Sequence, residues 1–112
     1  MLFTGLTTTF LKQFIFGLWL TSPLLLSLAV LIAFLGQIVG RQEEWPVFDS
    51  FYWSFVTATT VGYGDIRPTR KGSRILAIVL AFLGLILSGI LIAVAVHAAT
   101  LALAAHDAAT VR

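Results

Sequence analysis

The chain has 112 residues, 59% of them hydrophobic and 11% charged, with no cysteine and a formal net charge of +2. One domain fits this length, and a mean hydropathy of +1.00 does not suit a soluble globular domain of this size. Without cysteine there are no disulfides, thiolate metal sites or thiol chemistry. The small net charge gives no footprint for nucleic acid, and no nucleophile–base pair or metal-ligand cluster stands at a spacing useful to an enzyme.

Residues 1–21 mix threonines, Lys12 and Gln13 with Leu, Phe and Trp19, the composition of a segment lying in a membrane interface with the indole at headgroup depth. As a cleaved signal peptide the segment fails, because the apolar run extends too far and no small-residue cleavage site follows it. Ser22-Pro23 reads as an N-cap followed by proline at the first helical position. An outer membrane-crossing helix is therefore predicted over 23–39, about 25 Å long, with the apolar run continuing back through Phe14 across a bend near Pro23. Gly40 to Val47, with Arg41, Glu43, Glu44 and Pro46, is the polar loop outside the membrane. Asp49 or Ser50 caps a short helix over 49–59, where Phe48, Phe51, Tyr52 and Phe55 fall at i, i+3, i+4 and i+7 and form one apolar face. About 15 Å of helix is half a membrane, so this element and the chain after it read as a re-entrant loop, tolerated only inside protein or beside water. Its C-terminal dipole end favours a cation there.

Thr60-Val61-Gly62-Tyr63-Gly64-Asp65 follows. Glycine adopts positive φ at little cost, so glycine at alternate positions lets successive carbonyls swing to one side. Four such strands around an axis would stack rings of oxygens able to replace an ion's hydration shell. The Thr60 hydroxyl adds a further oxygen at the inner end. Pro68 to Ser73 is a turn, and an inner helix is predicted over 74–105. At about 48 Å it exceeds a bilayer core of about 30 Å, so it should tilt and project beyond.

The stretch Thr57-Ala58-Thr59-Thr60-Val61-Gly62-Tyr63-Gly64-Asp65 closely resembles the pore signature of potassium channels, and the order of elements around it resembles the small bacterial two-transmembrane members of that family. The resemblance implies an all-α membrane protein: two transmembrane helices flank a re-entrant pore helix and a filter loop, and residues 1–112 form a single pore domain. It implies a homotetramer, three identical subunits joining each chain, in contact with membrane lipid. Potassium is the permeant ion, with no cofactor. The carbonyls of Thr60, Val61, Gly62 and Tyr63 become the ion ligands, Gly64 shapes the backbone, and Tyr63 points away and braces the loop. Tyr52 and Trp53 become part of an aromatic cuff, one of them near Asp65 at the outer mouth; plain packing is their other role. Many bacterial relatives carry a glutamate where this chain has Val56, which cannot bond to the aspartate, so filter inactivation is expected to be weaker or governed by other contacts.

Gly84 falls at the inner-helix hinge position of such relatives, and Gly89 is a second hinge candidate. Each has a competing reading as a close-packing contact, which for Gly89 is the stronger one. Leu85, Ser88, Ile92, Val96 and Thr100 follow helical spacing and are expected to line the cavity and inner passage. Val96, Thr100 and Leu103 are the gate candidates, since narrow apolar rings close by dewetting. The other reading of this face is packing on the outer helix. His97 sits one step off it, and contact with a neighbouring helix or lipid is its expected role; His106 beside Asp107 is expected to be solvated.

Five bases in the central loop (Arg41, Arg67, Arg70, Lys71, Arg74) would by charge count place that loop in the cytoplasm. The resemblance implies the reverse: filter mouth outside, both termini cytoplasmic, in the cell membrane. Tyr63 between the glycines argues against a non-selective channel. No arginine-rich sensor helix is present, and one filter segment stands where a single-chain transporter would need four. The alternatives are a non-conducting assembly subunit and the pore-only part of a larger ligand-gated channel. The sequence names no gating stimulus.

Overall fold

The computed structural model describes residues 2–111; Met1, where the expected interfacial segment begins, and Arg112 lie outside them. Three helices form in chain order: α1 (Leu2–Glu43), α2 (Val47–Ala58) and α3 (Lys71–Val111). α1 and α3 are each long and apolar enough to cross a membrane.

The first helix departs from expectation. It does not start at Pro23 but runs through it, so residues 2–22 and the expected outer helix are one element. Proline has no N–H to give to the carbonyl four residues back, which orphans the Trp19 carbonyl. The Ser22 hydroxyl donates to that oxygen at 2.7 Å, and the Thr21 hydroxyl donates to Gly17 O at 2.8 Å. Ser22 is thus a repair inside the helix rather than its cap. The helix also continues past Val39 through Gly40–Glu43, which were expected in the loop. It ends where Glu44 takes φ 62° and Trp45 N–H bonds to Gly40 O at 2.8 Å, a left-handed closure that satisfies an otherwise orphaned carbonyl.

Leu24–Gly89 make one compact unit, and the segments up to Pro23 and from Ile90 make another. In the first unit, α2 packs on α1 through small residues. Gly36 and Gly40, one helical turn apart, face Ser54 and Ser50; a Cβ at either glycine would collide with its serine. Small residues at this spacing let backbones approach closely, the main source of helix association where lipid removes the hydrophobic drive. The buried serines stay satisfied locally: Ser50 Oγ donates to Pro46 O and Ser54 Oγ to Phe51 O. Around this seam lies the core of Ile32, Val39, Trp53, Ala58, Leu80 and Leu87. α2 starts at Val47 with Pro46 at its N-cap position and no side-chain cap, so neither Asp49 nor Ser50 caps it.

In the second unit the early part of α1 lies against the late part of α3. A Cβ on Gly17 would come within 2.7 Å of Val94 Cγ1, and Ala98 and Ala102 are buried. Thr8 and Thr9 return their hydroxyls to the carbonyls of Thr4 and Gly5, which leaves few free polar groups on an apolar helix.

Candidate ion-conducting loop

The chain between α2 and α3 carries the expected filter, Thr60–Asp65, outside any helix. Its backbone alternates: Thr60, Gly62 and Gly64 have φ of 65°, 55° and 80°, while Val61 and Tyr63 are not in the positive-φ region. Alternating handedness turns consecutive peptide planes the same way, gathering N–H groups on one edge and carbonyls on the other. The N–H edge faces α2. Val61 N–H and Gly62 N–H both donate to the Val56 carbonyl, at 3.0 and 3.2 Å, and Thr60 N–H donates to Thr57 O at 3.1 Å. Among the described residues the carbonyls of Thr60, Val61, Gly62 and Tyr63 accept no such backbone bond. Glycine accepts this conformation freely, whereas a β-branched threonine at positive φ is strained by about 1–3 kcal/mol. Thr60 is held there by the bonds to α2, and its hydroxyl donates to Thr59 O at 2.6 Å, leaving lone pairs on the hydroxyl oxygen as acceptors.

Behind the loop is a cavity of about 150 Å³ walled by Tyr52, Val56, Thr57, Tyr63 and Asp65 among others. Tyr52 and Trp53 both line this cavity with Asp65, and the Tyr52 hydroxyl stands close enough to the Asp65 carboxylate to feel its charge. Trp53, only 5% exposed, belongs to the α1–α2 core and meets Trp45 edge-on at 5.4 Å between centroids. Val56 contributes an apolar wall and, through its backbone, the shared anchor of the loop. Tyr63 is 71% exposed.

Gly84 lies against the end of α2: a Cβ there would strike the backbone of Ala58. The structure therefore gives Gly84 a packing reason, and Ser88 adds a hydroxyl at 3.4 Å from the same Ala58 carbonyl. Gly89 has no neighbour within 4 Å of such a Cβ, so close packing within the chain does not account for it. Leu85, Ile92, Val96 and Leu103 are exposed along α3, as is Thr100, whose hydroxyl returns to Val96 O. His97 is exposed, and His106 is half-buried at a cavity of about 180 Å³ beside Gly5 and Thr9.

Two site-supporting residues had no sequence signal beyond polarity. Glu43, past the apolar part of α1, accepts the backbone N–H groups of Thr69 and Arg70 at 2.7 and 2.9 Å and the Thr69 hydroxyl at 2.9 Å. These donors immediately precede α3, so a carboxylate from one helix caps the positive end of another. The Arg70 N–H bond leads in holding the Glu43 carboxyl below its ordinary value; partial burial opposes it, and the Thr69 bonds add to the lowering. Gln42 accepts the Ser73 hydroxyl at 2.8 Å. Together they pin the chain a few residues beyond the filter.

Among the described residues no three acidic or histidine side chains gather to hold a metal ion; the oxygens this loop offers are mainly backbone ones. Curated proteins are similar to part of this chain. TWiK family of potassium channels protein 7 of Caenorhabditis elegans is 47% identical over 56% of this chain and 12% of its own length. Two-pore potassium channel 1 of Arabidopsis thaliana is 45% identical over 47% of this chain, and potassium channel subfamily K member 2 of Homo sapiens 36% identical over 53%, each match covering 14% of the relative. The chain thus spans a small fraction of the curated relatives it matches. No solved structure matches. The ion channel family matches residues 22–100, a span that runs through both long helices and the loop between them, and the chain belongs to that family.

Proposed function

We propose that this chain is the pore-forming element of a potassium-selective channel and conducts K+ passively through a pore on a fourfold axis shared with three identical copies. One observation carries the reading: φ alternates across Thr60–Gly64 while the N–H edge is tied to α2, which leaves a file of carbonyls free to replace an ion's water. The similarity to relatives named potassium channels supports it. In this reading the ligands are the carbonyls of Thr60, Val61, Gly62 and Tyr63 with the Thr60 hydroxyl. α2 enters the membrane half-way, the filter mouth faces outward and both termini are cytoplasmic, as in the two-transmembrane bacterial members. Leu85, Ser88, Ile92, Val96 and Thr100 line the passage, and α3 bends at Gly84 or Gly89 to open it.

Reconstituted in vesicles, the chain should pass K+ far faster than Na+ and be blocked by a quaternary ammonium ion. Equal fluxes, or none, would overturn the reading. A cysteine at Glu44 should react with an impermeant thiol reagent applied outside the cell; labelling from the inside only would reverse the orientation.

A further inference from the structure

We infer that Arg67 governs how fast cations reach the filter from its outer end, acting as a charged collar rather than as an ion ligand; the inference rests on the fourfold pore proposed above. Arg67 and Asp65 line the same cavity with Tyr63 and Gly64, where the chain leaves the filter. Their charges are held differently. Asp65 stands beside the Tyr52 hydroxyl, whereas Arg67 is exposed and its guanidinium makes no hydrogen bond or ion pair with another described residue.

Asp65 is the one acid that lines this cavity with Arg67. The Glu43 carboxylate is occupied by the Thr69 and Arg70 backbone, and from Asp65 to Arg74 there is one acid against four bases. Arg74 turns its Nε toward the Pro68 carbonyl, a neutral partner that leaves its charge uncompensated. The stretch that leaves the filter is therefore net positive. Four copies would place four Arg67 guanidinium groups around the axis, where they repel an arriving cation. This repulsion acts over a screening length of about 30 Å at 0.01 M salt and about 3 Å at 1 M, so it controls entry at low ionic strength and fades at high. It leaves the filter oxygens unaltered. The expected signature is smaller current for ions entering at the filter end, a rectification set by salt, with selectivity unchanged.

The test is single-channel recording of the full chain in bilayers of neutral lipid with symmetrical K+. R67Q should raise the current entering at the filter end about two- to threefold at 10 mM and little at 1 M, and R67K should keep the wild-type rectification. Because the chain has no cysteine, R67C offers a second arm that varies charge in an already assembled pore: a positively charged thiosulfonate should reduce that current and a negatively charged one increase it. Equal currents with either reagent, or an R67Q effect undiminished at 1 M, would overturn the inference. The reversal potential in a K+/Na+ gradient, read on the same channels, separates this from the selectivity reading, since loss of selectivity there would sink the function and leave the salt dependence legible.

Discussion

The filter loop and the α1–α2 seam use glycine for opposite ends. In the loop, Gly62 and Gly64 have nothing within 4 Å of an added Cβ and positive φ; in the seam, Gly36 and Gly40 are helical and have serines pressed against them. One region needs backbone freedom in open space, the other needs an absent side chain in crowded space. The seam also holds the loop in place: α2, wedged by its serines against α1, supplies the Val56 carbonyl that receives Val61 and Gly62, and Glu43 at the end of α1 holds Thr69 and Arg70 beyond the filter. A strained segment persists when its surroundings over-determine it.

Substitutions can break this contrast. Gly84→Val should have the largest effect, because the clash is with Ala58 backbone, which cannot rotate away; overpacking of about 1–3 kcal/mol or more should abolish assembled protein on size-exclusion chromatography. Gly40→Val should come next, and Ser50→Ala in the same chain should restore part of the lost yield by removing the Oγ it meets. Gly62→Ala should leave helix content and assembly intact, yet strain the filter by about 1–2 kcal/mol and lower the K+/Na+ flux ratio at least tenfold. A loss of assembly there would show that the loop, too, is built by packing.

Smaller effects come from the supports. Since the Glu43 carboxyl is held below its ordinary value of 4.5 in the folded chain, its clamp contributes stability that is present above that value and lost as pH falls through the lowered one. Glu43→Gln should flatten the acid limb of thermal stability below pH 4.5 and speed current decay at neutral pH. Tyr52→Phe, which removes the hydroxyl standing beside Asp65, should alter decay while leaving selectivity within twofold.

The sequence reading went furthest where conformation is written in residue type. Gly62 and Gly64 take the positive φ expected of them, and apolar spacing found α2 to within two residues of its start, Val47. It stopped short at Pro23, since a Ser-Pro pair signals a helix start and only the neighbouring Ser22 and Thr21 bonds show how the helix passes through. Gly84 carried two readings because its neighbour, Ala58, is 26 positions away in the chain. Glu43 looked like any loop acid, its partners being backbone groups that no side-chain pattern announces.

The doubled bond at the Val56 carbonyl also makes the filter observable by proton exchange. In an uninterrupted helix that oxygen would accept from Thr60; here it accepts from Val61 and Gly62, so the filter is the next turn of α2 drawn open with its acceptor shared. A rearrangement that draws both the Thr60–Val61 and the Val61–Gly62 peptides away from α2 releases this oxygen, and the two amides should then exchange with solvent together while those within α2 stay protected. Paired exchange at Val61 and Gly62, slowed by K+ and quickened by its removal, would time the filter's opening without passing current.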